Sequence, residues 1–122
     1  MTIALWVVQV MLAAMFAMAG LTKLSQGKEK LKDKMPWVND FSDGAVRVIG
    51  GLEALGAIGL VVPLLVGMGP GLTAWAAVGL VLIMIGAIVT HVRRKESQAI
   101  GMNLALLLAA AFVALGRFGI FT

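Results

Sequence analysis

Of the 122 residues, 61% are hydrophobic and only 13% charged, which leaves too little polar surface to coat a water-soluble core and no room for a large extramembrane module. The formal charge of +4 is gathered in two short clusters beside apolar runs, a pattern that suits loops facing anionic lipid; with no basic and aromatic interleaving, it argues against nucleic acid as a partner. There is no cysteine and a single histidine, His91, so disulfides, thiolate-held iron–sulfur clusters, thioether-linked haem and bis-histidine haem are excluded.

The first apolar run, from Met1 to Thr22, carries no charged side chain and has the length of about 20 residues that a helix needs to cross the hydrocarbon layer. Ala17-Met18-Ala19 is similar to a signal cleavage site, but no basic residue precedes the run and it exceeds a signal core in length. The expectation is therefore a retained first span over about residues 3–23. Residues 24–45 are the most polar stretch, holding Lys28, Lys30, Lys32 and Lys34 against Glu29, Asp33, Asp40 and Asp43, and are expected to form a loop. Leu31, Met35 and Val38 fall at helical spacing beside Trp37 and Phe41, which allows either a short interfacial amphipathic turn broken at Pro36 or a solvated linker.

A second span is expected over about residues 46–66. The uncharged stretch from Ala54 to Thr90 is too long for one crossing, and Gly67-Met68-Gly69-Pro70-Gly71 is the natural place for a turn. The third span then covers about 72–91, ahead of Arg93-Arg94-Lys95-Glu96, and the fourth about 98–116. The expected fold is all-α: one transmembrane domain, a four-transmembrane-helix bundle of antiparallel up-down topology. Because lysine and arginine concentrate at 24–45 and 92–97, those loops are expected in the cytoplasm and both termini outside, with Arg117 the one basic residue against the rule.

Glu53 is the residue that most needs explaining. An acidic group at the centre of a membrane helix costs about 2.5–3.5 kcal/mol on insertion scales, and counted from Val46 it lies about 10 Å along the span. It is therefore expected to be neutral, paired or in contact with a water-filled cavity. Gly50, Gly56 and Ala57 share its face and permit close helix approach, as do Ala76, Gly79, Ile83, Gly86 and Thr90 on the third span and Gln9, Ala13 and Gly20 on the first. Antiparallel packing would gather Lys23, Arg47, His91 and Asn103 toward the cytoplasmic side, and either Lys23 or Arg47 has the reach to pair with Glu53. The candidate binding residues are thus Glu53, Arg47, Lys23, His91, Asn103 and Gln9. The plainer readings are interfacial anchoring for Arg47, Lys23 and His91, a structural ion pair for Glu53, and helix-to-helix hydrogen bonding for Gln9 and Asn103. No phosphate-cradling loop, paired metal histidines or nucleophile elbow is present.

Four segments in order resemble the DoxX-like family of small four-helix membrane proteins: Ala19-Gly20-Leu21-Thr22-Lys23-Leu24, then Pro36-Trp37-Val38-Asn39-Asp40-Phe41. They are followed by Arg47-Val48-Ile49-Gly50-Gly51-Leu52-Glu53-Ala54-Leu55-Gly56 with Pro63 beyond it, and by Gly86-Ala87-Ile88-Val89-Thr90-His91. The resemblance covers nearly the whole chain. It implies two kinds of function: subunits of a thiosulfate-oxidising, quinone-reducing complex or membrane partners of oxidative-stress enzymes on one side, and a chaperone-like role in receptor assembly on the other. Shared fold does not choose between them.

The leading expectation is a non-catalytic binding or assembly module of a bacterial inner membrane, in which a pocket around Glu53 takes a lipid, an apolar small molecule or a partner helix. The alternative is an accessory membrane subunit of a quinone-linked oxidoreductase, with quinone as the one cofactor entertained and Glu53 or His91 exchanging protons. A homo-oligomer is compatible with either. A transporter ranks below both, because a pore normally shows more polar lining.

Overall fold

The structure is a computed structural model, and it describes residues 2–31 and 41–119. Four helices occupy nearly all of them: α1 (Thr2–Leu31), α2 (Asp43–Leu65), α3 (Pro70–Arg93) and α4 (Ser97–Arg117). Each contains a stretch long and apolar enough to cross a bilayer, namely Ile3–Gln26, Asp43–Leu65, Pro70–Arg93 and Ser97–Arg117. No strand occurs among the described residues. The chain is an all-α membrane bundle.

The helix ends follow from local chemistry. Ser42 caps α2 by accepting the Ala45 N–H at 3.1 Å, with Asp43 in the positive first turn. Gly67 and Gly69 take φ of +78° and +86°, the left-handed region where a side chain is strained, and Pro70 opens α3 where its missing N–H has no helical partner to lose. Three residues suffice to turn α3 into α4; Lys95 adopts φ of 59° while the Glu96 N–H bonds back to the His91 carbonyl at 3.0 Å.

One expected boundary is corrected. Residues 24–31 are helical and continue α1 past its apolar stretch, instead of opening the polar loop. Lys, Glu, Gln and Leu are good helix formers, and the extension brings Leu31, fully buried, onto Val46 with Phe41 packed beside them. Of the amphipathic turn expected around Pro36 and Trp37, the central part lies outside the described residues.

Packing is set by glycines at the crossings. A Cβ added at Gly20 would sit 2.5 Å from the Gly50 carbonyl oxygen, and one at Gly50 would sit 2.7 Å from the Gly20 oxygen, so α1 and α2 meet backbone to backbone. Further along, Gln9 of α1 bonds the Leu60 carbonyl of α2; residue numbers fall on one helix as they rise on the other, and the two run antiparallel. Gly59 against Ala76 and Gly56 against Leu80 repeat that relation between α2 and α3, while Gly116 receives Leu5 where α4 meets α1. Leu12, Phe16, Leu60, Leu80, Met84 and Val113 fill the interior. The exterior is apolar as well, with Ile3, Leu55, Leu82 and Leu108 all exposed, the inversion of a soluble surface that lipid contact permits.

Candidate functional site

The Gly20–Gly50 crossing seats the Lys23 stem beside Gly50, one turn before Glu53 on α2. Lys23 and Glu53 are carried to the interior, only 6% and 3% exposed, with Lys23 Nζ 2.7 Å from Glu53 Oε1. Counted from Asp43, Glu53 lies about 15 Å along α2, near the middle of a hydrocarbon layer of about 30 Å. Its carboxylate therefore meets its cost by pairing within the bundle.

The pair forms part of the wall of a cavity of about 870 Å³ that all four helices line. Phe16, Ile83, Met84 and Leu106 supply apolar wall, together with Met15 and Met102. The polar groups are Lys23, Glu53, Thr90, His91, Arg93, Glu96 and Asn103. His91 and Glu96 form a second pair, Nδ1 to Oε1 at 2.8 Å, across the α3–α4 turn. Thr90 turns its hydroxyl onto the Gly86 carbonyl at 3.0 Å, the usual solution for a hydroxyl inside an apolar helix. Among the described residues, no three His, Asp or Glu side chains converge as metal ligands. The arrangement offers hydrogen bonding and charge beside a large apolar space, which suits holding and orienting a ligand.

The six residues singled out from the sequence divide into two groups. Lys23, Glu53, His91 and Asn103 line this one cavity. Arg47 does not: it is exposed, bonds Asp43 Oδ2 through Nε at 2.9 Å, and donates from Nη1 to the Leu24 carbonyl at 2.5 Å. Of the two cations with the reach to pair with Glu53, Lys23 does so because Gly20 and Gly50 remove the side chains that would hold α1 and α2 apart. Gln9 also lies away from the cavity. It is fully buried, gives Nε2 to the Leu60 carbonyl at 2.6 Å and accepts Arg117 Nε at 2.5 Å.

Two participants escape sequence reasoning. Glu96 reads as one charge of a basic loop, and only the tight turn at Lys95 swings it back onto His91. Arg117 reads as a basic residue on the wrong side; in the fold it joins Gln9 and lies over the Trp6 ring, 5.4 Å from its centroid. The available signal for Glu96 is its five-residue spacing from the lone histidine across a helix break.

A profile of the DoxX-like family matches residues 7–113, which takes in α2 and α3 whole, most of α1 and α4, and every residue of the cavity. The chain belongs to the DoxX-like family. Comparison with curated proteins and with solved structures finds no match. In this DoxX-like chain the matched stretch holds the Gly20 and Gly50 crossing, the Lys23–Glu53 pair and the His91–Glu96 turn, whereas Arg117 lies just beyond it.

Proposed function

We propose that this DoxX-like protein is a non-catalytic membrane binding module, whose intramembrane cavity at Glu53 takes a lipid or another apolar small molecule and so supports the assembly or supply of a membrane partner. The observation that carries this reading is the cavity of about 870 Å³ with a buried Lys23–Glu53 pair in its wall, a volume in the range of about 300–1,000 Å³ usual for small-molecule sites. The ion pair orients; the apolar wall supplies affinity. In this reading the bundle stands up-down in a bacterial inner membrane, with both termini outside and the 24–45 and 92–97 segments in the cytoplasm, as monomer or homo-oligomer.

The test is gentle purification of wild type, Glu53→Ala and Gly86→Leu, followed by comparison of copurifying lipids and proteins. A Cβ at Gly86, on the cavity wall, meets nothing within 4 Å, so the leucine occupies space without breaking the pair. Loss of a bound lipid or partner in both variants is expected; identical profiles in all three would overturn the proposal.

A second reading, a membrane subunit of a quinone-linked oxidoreductase, is favoured by one observation: Glu53 and His91, both residue types that exchange protons, line the same cavity. Quinone reduction in liposomes, with and without a redox partner, tests it. Rates that do not change in Glu53→Gln and His91→Gln would remove it.

A further inference from the structure

The polar groups of the cavity are not equivalent, and the difference points to the kind of head group that fits there. Lys23 and Glu53 are joined at 2.7 Å, His91 and Glu96 at 2.8 Å, and Arg94 stands 3.4 Å from the same Glu96 oxygen. Both acidic groups of the wall thus have a basic partner, Glu96 in part from Arg94 behind it, while Arg93 stands at the exposed rim. A ligand carrying a net charge past the Arg93 rim, to the depth of Glu53, would have to displace an existing partner or remain unpaired in a low-dielectric setting. Asn103 differs: its carboxamide lines the cavity, and among the described residues it has no hydrogen-bond partner. An amide within a membrane helix offers two donors and an acceptor, and leaving them unmet is costly. The remaining wall is apolar, and two of its side chains, Met15 on α1 and Met102 on α4, are 44% and 64% exposed. Both lie in bilayer-crossing segments, so the cavity is open to the lipid. Leu5 on Gly116 and Gln9 on Arg117 join α1 to α4 toward the opposite end of the bundle.

We infer that the site takes a single-chain amphiphile with an uncharged head, reached laterally from the bilayer between Met15 and Met102, with a head hydroxyl, ester or amide bonded to Asn103 and the chain against Phe16, Met84 and Leu106. The inference rests on the binding-module reading and narrows it. A volume of about 870 Å³ suits one chain, and the paired acids inside the Arg93 rim favour a neutral head at Asn103 over the carboxylate of a fatty acid.

The experiment uses the full chain in lipid nanodiscs and three probes: monooleoylglycerol, oleate, and dioleoylphosphatidylcholine as the two-chain control. Binding is read by native mass spectrometry, and the position of the chain by a photoreactive monoacylglycerol carrying a diazirine in its tail. Monooleoylglycerol is expected to be retained over the other two, with crosslinks at Met15, Met102 or Leu106. Asn103→Leu should weaken it about threefold to tenfold, the equivalent of one interhelical-strength hydrogen bond in a membrane, while Asn103→Gln, which keeps the carboxamide, retains most of the affinity. Oleate bound as tightly as the glyceride, or Asn103→Leu bound like wild type, overturns the neutral-head assignment. The wider reading survives that result as long as Gly86→Leu lowers binding of whichever amphiphile is held. Binding of all three probes that Gly86→Leu leaves unchanged overturns both. Melting curves for each variant separate lost binding from lost fold, and the glutamine variant keeps the test decisive if the leucine variant does not fold.

Discussion

Lys23 and Glu53 meet at 2.7 Å because the Lys23 stem leaves α1 beside Gly50, where an added Cβ would sit 2.6 Å from the Lys23 Cβ, and runs along α2 for the one turn that separates Gly50 from Glu53. On antiparallel helices Lys23 and Glu53 lie on opposite sides of the Gly20–Gly50 contact, and it is the length of the lysine side chain, laid over a residue with no side chain of its own, that closes the gap. A side chain at Gly50 would occupy the place of the Lys23 stem, and one at Gly20 would press on the Gly50 carbonyl and on Ala54.

Breaking that pair from one side should be costly. Lys23→Met or Glu53→Leu alone leaves a buried charge without its partner, and each is expected to lower stability by about 3–5 kcal/mol. The double variant Lys23→Met/Glu53→Leu should recover most of the loss, since two apolar side chains suit the interior. Unfolding in mixed micelles, analysed as a double-mutant cycle, measures it; additive losses would show that the pair contributes no coupling.

The glycines themselves separate into two kinds. Gly20→Val and Gly50→Val must force the α1–α2 backbones apart, and a loss of about 1–3 kcal/mol or more is expected from overpacking. At Gly79, a Cβ meets nothing within 4 Å, so Gly79→Ala should be neutral or gain up to about 1 kcal/mol of helix propensity. Thermal melts of the three variants distinguish these outcomes.

Away from the cavity, Gln9 is the bridge among three helices, donating to Leu60 on α2 and accepting from Arg117 on α4. Gln9→Leu strands the Arg117 guanidinium and frees α4 from α1. A loss of about 0.6–2 kcal/mol is expected, in line with interhelical hydrogen bonds in membranes, with the cavity's ligand retained. A ligand lost together with stability would tie the two ends of the bundle functionally.

Orientation is open to a direct measurement, because the chain has no cysteine of its own. Cysteines placed singly at Met68, in the uncharged turn, and at Lys95, in the basic one, should label from opposite sides of intact cells with a membrane-impermeant maleimide. Met68→Cys is expected to react from outside and Lys95→Cys only after lysis. The reverse pattern would invert the proposed topology.

Several features of this protein are legible along the chain itself. Four apolar runs with a Gly-Pro-Gly break and two basic clusters dictate four membrane helices, because lipid demands that each segment satisfy its own backbone, and an acid inside the second run demands a partner. Hydropathy is local, however, and it misplaced the end of α1: residues 24–31 look like loop until Leu31 finds Val46 across the turn.

Which partner Glu53 takes was decided only in three dimensions. Lys23 and Arg47 have equal charge and similar reach, and no property of either one distinguishes them. The choice depends on the register in which α1 lies against α2, which two glycines settle by allowing backbone contact at one height. The same holds for Glu96 on His91 and Arg117 on Gln9: composition names the groups that must be satisfied, while the geometry of a turn or a crossing, a relation between distant residues, determines what satisfies them.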